Sequence, residues 1–478
     1  MTDPDLCYIS ATDAITRFRR LELSPVDVIE AQINRLEQVN PDLNALVNLR
    51  LERARDEAEL AARAYRAGDA RPLEGVTIAI KDLHPLAGEV TTRGSVVYEH
   101  TRSDESAPTV QRLVDAGAIV VGRSTTPELG YGSATHSRLW GITRNPWNRD
   151  YSPGGSSGGA AAAVAAGMTT LADGSDHGGS IRTPASCCGV VGYKPPYGRN
   201  PLPAGSSLDT FMHYGPITRT VEDAALMQDV TSGAHPDDIA SLRERVRLRR
   251  RLGGVRGWKV AYSIDLGMFH VDSDVRANTE AALEVFERLG CTLTETKIEW
   301  PDAMLAAIDN YYAGLTVASI VPFVHQWGSV VSDYLHRYAT DCTHSHGADA
   351  ALTVKDVFDA AQVFAEIYRA FAPIVDRHHV FVCPTTAIAG VPADYSVITA
   401  SDPSTSPPQP DEVGWQLTWP FNVLSRCPVI SVPSGFGATG VPTGIQIVAR
   451  SFDDTRVFRA AAAFESERPW LLPDRRSL

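Results

Sequence analysis

The sequence predicts an α/β protein with a large mixed, mostly parallel β-sheet at its core and helices covering both faces. Three observations carry this reading. Short apolar runs such as GVTIAI (75–80) and IVVGR (119–123) alternate with amphipathic stretches. The alternation resumes late in the chain, with KVAYSI (259–264), VRANTEAALEVFERLGC (275–291) and HVFVCPT (379–385), and repeated βα units favour parallel strands. The composition, 44% hydrophobic and 21% charged over 478 residues, suits a packed soluble core.

Taken in order, residues 1–70 form an N-terminal helical layer. Ser24-Pro25 opens a helix there, and Val26, Val28, Ile29, Ile33 and Leu36 fall on one of its faces. Residues 71–478 form the catalytic domain. GVTIAI is its first buried strand, ending at Lys81-Asp82, where a strand edge faces a cleft. TVQRLVDAGA then reads as a helix closed near Gly117, and IVVGR as the next strand. Between 301 and 375 the chain turns helical and aromatic, with Tyr311, Tyr312, Phe323, Trp327 and Tyr334, which suggests an inserted cap. Residues 401–411, SDPSTSPPQPD, read as a Pro/Ser-rich surface loop.

A formal charge of −13 gives no basic field for phosphate backbones or anionic membranes. The expected partner is a neutral small molecule, with no nucleic acid and no membrane. The seven cysteines lack paired zinc spacing. The N-terminus MTDPDLCYIS lacks the features of a signal peptide, and no apolar run reaches the ~20 residues of a membrane helix. These features point to a cytoplasmic protein with reduced thiols.

The chemistry concentrates in residues 152–186, where two Gly-Ser clusters bracket an alanine-rich helix and read as one helix–loop unit. Gly178-Gly179 before Ser180 suits a turn whose amides converge on one point, as an oxyanion hole requires. A serine hydroxyl needs a base, and nothing near Ser180 resembles a G-x-S-x-G elbow. Lys81 is the candidate, because burial at the end of an apolar strand disfavours its charged form. On composition alone G-G-S-S-G-G reads equally as a flexible linker, until the second motif is added. The phosphate-loop alternative lacks its lysine and hydroxyl arrangement.

These residues resemble the amidase signature family. Its pattern G-G-S-S-G-G, a linker, then G-[ST]-D-x-G-G-S-I-R-x-P-A stands between Gly154 and Ala185, and the spacing from Ser156 to Ser180 matches. The similarity extends to GVTIAIKD around Lys81, TRNPWN (143–148), GVVGYKPPYGR (189–199), PITRTVEDAA (216–225), PFNVLSRCPVISVPSG and GVPTGIQIVA. The resemblance implies the amidase signature fold, with Ser180 as nucleophile, Ser156 after a cis peptide bond as relay and Lys81 as base. It also implies backbone amides of His177, Gly178, Gly179 and Ser180 around the oxyanion, and a Ser175 hydroxyl bonded within the triad. Asp176 and Arg182 would brace the loop, and Tyr131 and Gly132 would face the acyl side. The implied reaction is hydrolysis of an amide C–N bond, of aryl or other bulky apolar acyl amides, through an acyl-enzyme. No cofactor and no metal are required.

Blander readings stand beside these. Asp82 reads as structural. His177 could form a dyad with serine, but lining the pocket is the simpler role. Cys342, His344 and His346 read as a polar loop rather than a metal site, and Cys187-Cys188 as packing groups. Trp415 and Trp419 either wall a substrate pocket or pack the core. Carbamate or ester hydrolysis, the glutaminase component of a glutamine-dependent tRNA amidotransferase, and an inert scaffold of the same fold remain as alternatives. Against the amidotransferase component, GSSLDTFMHYGP (205–216) departs from its usual run, in which a glutamine precedes the Gly-Pro turn. The chain is expected to be a monomer or homodimer.

Overall fold

The computed structural model describes residues 3–206, 209–341, 351–396 and 414–472. Its strands are β1 (Leu46–Val47), β2 (Thr77–Lys81), β3 (Ile119–Ser124), β4 (His136–Ser137), β5 (Gly141–Ile142), β6 (Leu171–Asp176), β7 (Val191–Lys194), β8 (His213–Thr218), β9 (Lys259–Tyr262), β10 (Thr292–Glu295), β11 (Val380–Pro384), β12 (Val429–Phe436) and β13 (Pro442–Val448). β4 and β5 pair only with each other. The other strands form one 11-stranded sheet in the order β1-β3-β2-β6-β8-β7-β12-β13-β11-β9-β10.

The large mixed sheet agrees with the sequence, but its parallel share is smaller than expected. Parallel pairing is confined to β2 with β3 and β6, and to β9 with β10 and β11. The centre, β6-β8-β7-β12-β13, is antiparallel throughout. The βα alternation is readable only on the flanks. The central strands carry Gly and Pro within GVVGYK, GPIT and VISVPSG, which blur the apolar period, and β12 and β13 are joined by a tight turn rather than a crossover helix.

Both faces of the sheet are covered. On β2, Ala79 packs with Ile29, Ile33 and Leu36 of helix Pro25–Leu43 and with the buried helix Gly158–Ala165. Its neighbours Ile78 and Ile80 point the other way, towards Val110 and Leu113 of helix Pro108–Asp115 and Leu226 of helix Val221–Thr231. Ser24 and Asp27 form a capping box at the start of helix Pro25–Leu43, with Pro25 in its first turn. Helix Gly158–Ala165, GGAAAAVA, is buried on every side, so it needs small apolar residues all round.

Helices Met304–Trp327, Asp333–Asp341 and Val354–Arg377 occupy the region read as the cap. The first and third pack closely: a Cβ on Gly314 would lie 2.5 Å from Val357 Cγ2. Phe371 anchors the third to the core through Phe381 and Phe421, with ring centroids 5.4 and 5.8 Å away. The loop at 401–411 and Cys342, His344 and His346 lie outside the described residues. No single helix among the described residues is long and apolar enough to cross a membrane.

The Phe371 anchor sets a stability prediction. Phe371→Ala should lower unfolding free energy by about 3–5 kcal/mol, whereas Phe358→Ala, on the same helix but 64% exposed, should stay within about 0.5 kcal/mol of wild type. Denaturant titration of both variants checks this; equal effects would show that Phe371 does not carry the anchor.

Candidate active site

The site begins with one side chain. Lys81 is the last residue of β2 and is completely buried. Its ammonium nitrogen Nζ reaches three hydroxyls, at 2.8 Å to Ser156 Oγ, 2.9 Å to Ser157 Oγ and 3.0 Å to Ser175 Oγ. Burial pushes this amine down to about 7, with the carboxylates of Asp173 and Asp176 opposing the shift. The opposing charge is not Asp82, the neighbour in sequence. That carboxylate faces away, towards Thr92, the indole of Trp140 and Arg123.

The three hydroxyls come from separate pieces of chain. Ser156 and Ser157 lie in the loop leading into helix Gly158–Ala165, and the Gly155–Ser156 peptide is cis. Ser175 lies on β6, a strand that the sequence pattern merges into a helix–loop unit. Ser180 sits in the loop between β6 and helix Arg182–Cys188. The two motifs are tied directly, because the Ser157 backbone N–H donates to Ser180 O at 3.1 Å.

The loop 177–180 is held from beneath by a buried ion pair. Arg182 meets Asp176 through both Nε and Nη2 at 2.9 Å, and also donates to Thr418 O, Gln446 Oε1 and Asn422 Oδ1. Burial alone would raise the Asp176 carboxyl, but the Arg182 guanidinium and Asn422 amide hold it below the usual carboxylate range. Gly179, with φ of 137°, adopts a backbone that a side chain would strain. Gly178 presses on Trp419, where a Cβ would come within 2.7 Å of the indole.

A cavity of about 540 Å³ opens over these residues. Ser156, Ser175, His177, Gly178 and Ser180 line it, as do Tyr131, Gly132 and Trp419. Trp415 does not; it is fully buried with Cys187, Val391 and Tyr395, so of the two tryptophans one walls the cavity and the other packs the core. The His177 ring bonds Asp209 at 2.9 Å and lies 5.0 Å from Tyr312 of the cap. Apolar walls come from Leu83, Leu129, Met212 and Tyr312.

Several residues escape a reading of the sequence. Ser157 shares its motif with Ser156, and nothing in the pattern separates the two. Asp209, Tyr312 and Met212 reach the cavity only through tertiary packing. Asp173 and His84, buried behind Lys81, belong to the same group. Among the described residues, no cluster of three His, Cys, Asp or Glu side chains could hold a metal ion.

Comparison with known proteins agrees with this arrangement. A family model described as Amidase matches residues 27–458. The chain is 37% identical to an acylamidase of Rhodococcus erythropolis, over 98% of each sequence. It is 32% identical to the A component of the glutamyl-tRNA(Gln) amidotransferase of Geobacter metallireducens, over 95% of this chain and 96% of that one. The fold matches the crystal structure of a bacterial aryl acylamidase of the amidase signature enzymes with a TM-score of 0.87 and 30% identity, covering 97% of both chains. With matching motifs, fold and near-complete coverage, the chain belongs to the amidase signature family of amide hydrolases.

Proposed function

We propose that this amidase cleaves the C–N bond of aryl or other bulky apolar acyl amides, with Ser180 as nucleophile, Ser156 as relay and Lys81 as base. The observation that carries the reading is the 2.8 Å contact between Lys81 Nζ and Ser156 Oγ in a site closed to water. A neutral amine has two N–H donors and one lone pair. With Ser157 and Ser175 accepting the donors, the lone pair is left for the Ser156 proton. The three hydroxyls thus support Lys81 as an acceptor aimed at one serine.

In the proposed sequence, Ser156 passes its proton to Lys81 while taking that of Ser180. The Ser180 oxygen bonds the acyl carbon, and the carbonyl electrons move onto oxygen, where the backbone amides of His177–Ser180 stabilise the negative charge. Collapse breaks the C–N bond, and the departing amine receives the proton returned through Ser156. Water repeats the cycle on the acyl-enzyme and releases the carboxylic acid. Asp176 and Arg182 hold the loop that supplies these amides.

The substrate class rests on the cavity and the relatives. Tyr131, Tyr312 and Trp419 with Leu83, Leu129 and Met212 make an aromatic and aliphatic wall, of a size that suits a bulky ligand. Acylamidase and aryl acylamidase relatives support the same class. Carbamates and esters would enter by the same acyl transfer, and a panel of anilides, carbamates, aliphatic amides, esters and glutamine ranks them. Glutamine as the best substrate would favour the amidotransferase reading instead. The scattered cysteines support a cytoplasmic setting, in which the chain acts as a monomer or homodimer.

Ser180→Ala should lower kcat by at least about 10³-fold and abolish fluorophosphonate labelling, with circular dichroism unchanged. Retention of more than about a tenth of wild-type kcat would exclude Ser180 as nucleophile. Ser156→Ala should be slow but measurable, because water partly replaces the relay; an unimpaired variant removes Ser156 from the proton path.

The pH dependence follows from Lys81. The base acts when deprotonated, so kcat/KM should be level above the Lys81 value of about 7 and fall about tenfold per pH unit below it. An imidazole would give a limb near ~6.5, so position alone does not identify the base. His177→Ala should keep the limb and Lys81→Met should be inactive; the reverse pattern would replace the lysine with the histidine.

A further inference from the structure

Behind Lys81 lies a second layer of buried ionisable groups that the reaction above leaves idle. Asp173 precedes Ser175 by two residues on β6, so both side chains leave the same face of the strand. β6 runs parallel beside β2. One Asp173 oxygen, Oδ1, accepts the Lys81 backbone N–H at 2.7 Å, and the other, Oδ2, contacts His84 Nδ1 at 2.6 Å. His84 is wholly buried and stacked on Tyr214 with ring centroids 3.9 Å apart. Its Nε2 has no hydrogen-bond partner among the described residues. An ionised carboxylate only accepts, so the proton in this contact sits on Nδ1.

The surrounding charges leave Asp173 in a distinct position. From β3, Arg123 lies 3.7 Å from Asp82 and donates to the main-chain oxygens of Lys81 and His84. From the end of β6, Asp176 is matched by Arg182 at 2.9 Å. Tyr214 faces His84 from β8, and Glu89 and Arg93 act from farther out, on Arg123 and Tyr214. Once these guanidinium pairs are set aside, Asp173 is the carboxylate that opposes Lys81 and His84.

We propose that Asp173 and His84 are positioning residues for the base: the carboxylate, held by the imidazole, fixes the end of β2 and keeps the Lys81 amine basic enough to take a serine proton. The proposal rests on Lys81 being the base. A lysine buried without an opposing charge loses its proton readily and is then a poor acceptor. Asp173 counters this and is the foremost group raising the proton affinity of Lys81. Burial lowers the proton affinity of His84, with Asp173 opposing, so a neutral imidazole donates from Nδ1 without adding a rival positive charge.

The test compares kcat/KM–pH profiles of wild type, Asp173→Asn, His84→Gln and His84→Phe, with Lys81→Met as control. Asp173→Asn keeps an acceptor for the Lys81 amide but removes the charge. Its limb should move to lower pH by about one unit or more, and its plateau should fall at least about tenfold as the base weakens. His84→Gln retains a donor and should keep the wild-type limb. His84→Phe withdraws the donor, so the buried carboxyl takes up a proton and the limb moves in the same direction as in Asp173→Asn. If Asp173→Asn does not fold, the two His84 variants decide by the same comparison. An unmoved limb in Asp173→Asn, or equal limbs in His84→Gln and His84→Phe, overturns the proposal while an inactive Lys81→Met leaves the base reading intact. A fully active Lys81→Met removes the base itself and the proposal with it.

Discussion

A lysine amine without water around it has to find its partners inside the protein, and much of this structure serves that requirement. Lys81 sits at the end of a strand buried on both faces, and the hydroxyls of Ser156, Ser157 and Ser175 surround its nitrogen. Three serines give the amine polar contacts without giving it a full counter-charge. It therefore stays near the boundary between charged and neutral forms, where a proton acceptor is most useful. Those serines must come from chain segments far apart in sequence, so the fold has to bring β2, β6 and the loop before helix Gly158–Ala165 to one point.

The antiparallel centre of the sheet has a part in this. β8, β7 and β12 lie between β6 and β13, yet Arg182, in the helix after β6, spans from Asp176 to Gln446 on β13 and to the 418–422 segment. Removing one partner of such a buried pair leaves an uncompensated charge. The oxyanion loop is thereby tied to the C-terminal third of the chain, which also supplies Trp419 to the cavity wall.

How much of this is readable without the structure depends on whether a residue's role is local. Lys81, Ser156 and Ser180 stand in spaced motifs, and the structure brings Lys81 to Ser156 and sets Ser156 and Ser180 on one cavity. The flanking strands and helices are legible because their apolar period is clean. Ser157 is hidden by its likeness to Ser156, and Trp415 by its likeness to Trp419, since sequence alone does not say which of two similar side chains faces a cavity. Asp173 and His84 are invisible for a different reason: their meeting depends on β6 lying beside β2. The antiparallel centre escapes because glycine and proline interrupt the periods of its strands.

The contact between Gly178 and Trp419 links two things that are usually discussed separately. The indole fills the space that any side chain at 178 would need, so the wall that selects the acyl group is also the surface on which the oxyanion loop rests. Selection for a roomier pocket by shrinking residue 419 would withdraw that support, and selection on the loop would reshape the pocket. Divergence of substrate range in this lineage is therefore channelled towards the opposite wall, where Tyr131 and the cap meet the cavity without touching the reacting loop's backing.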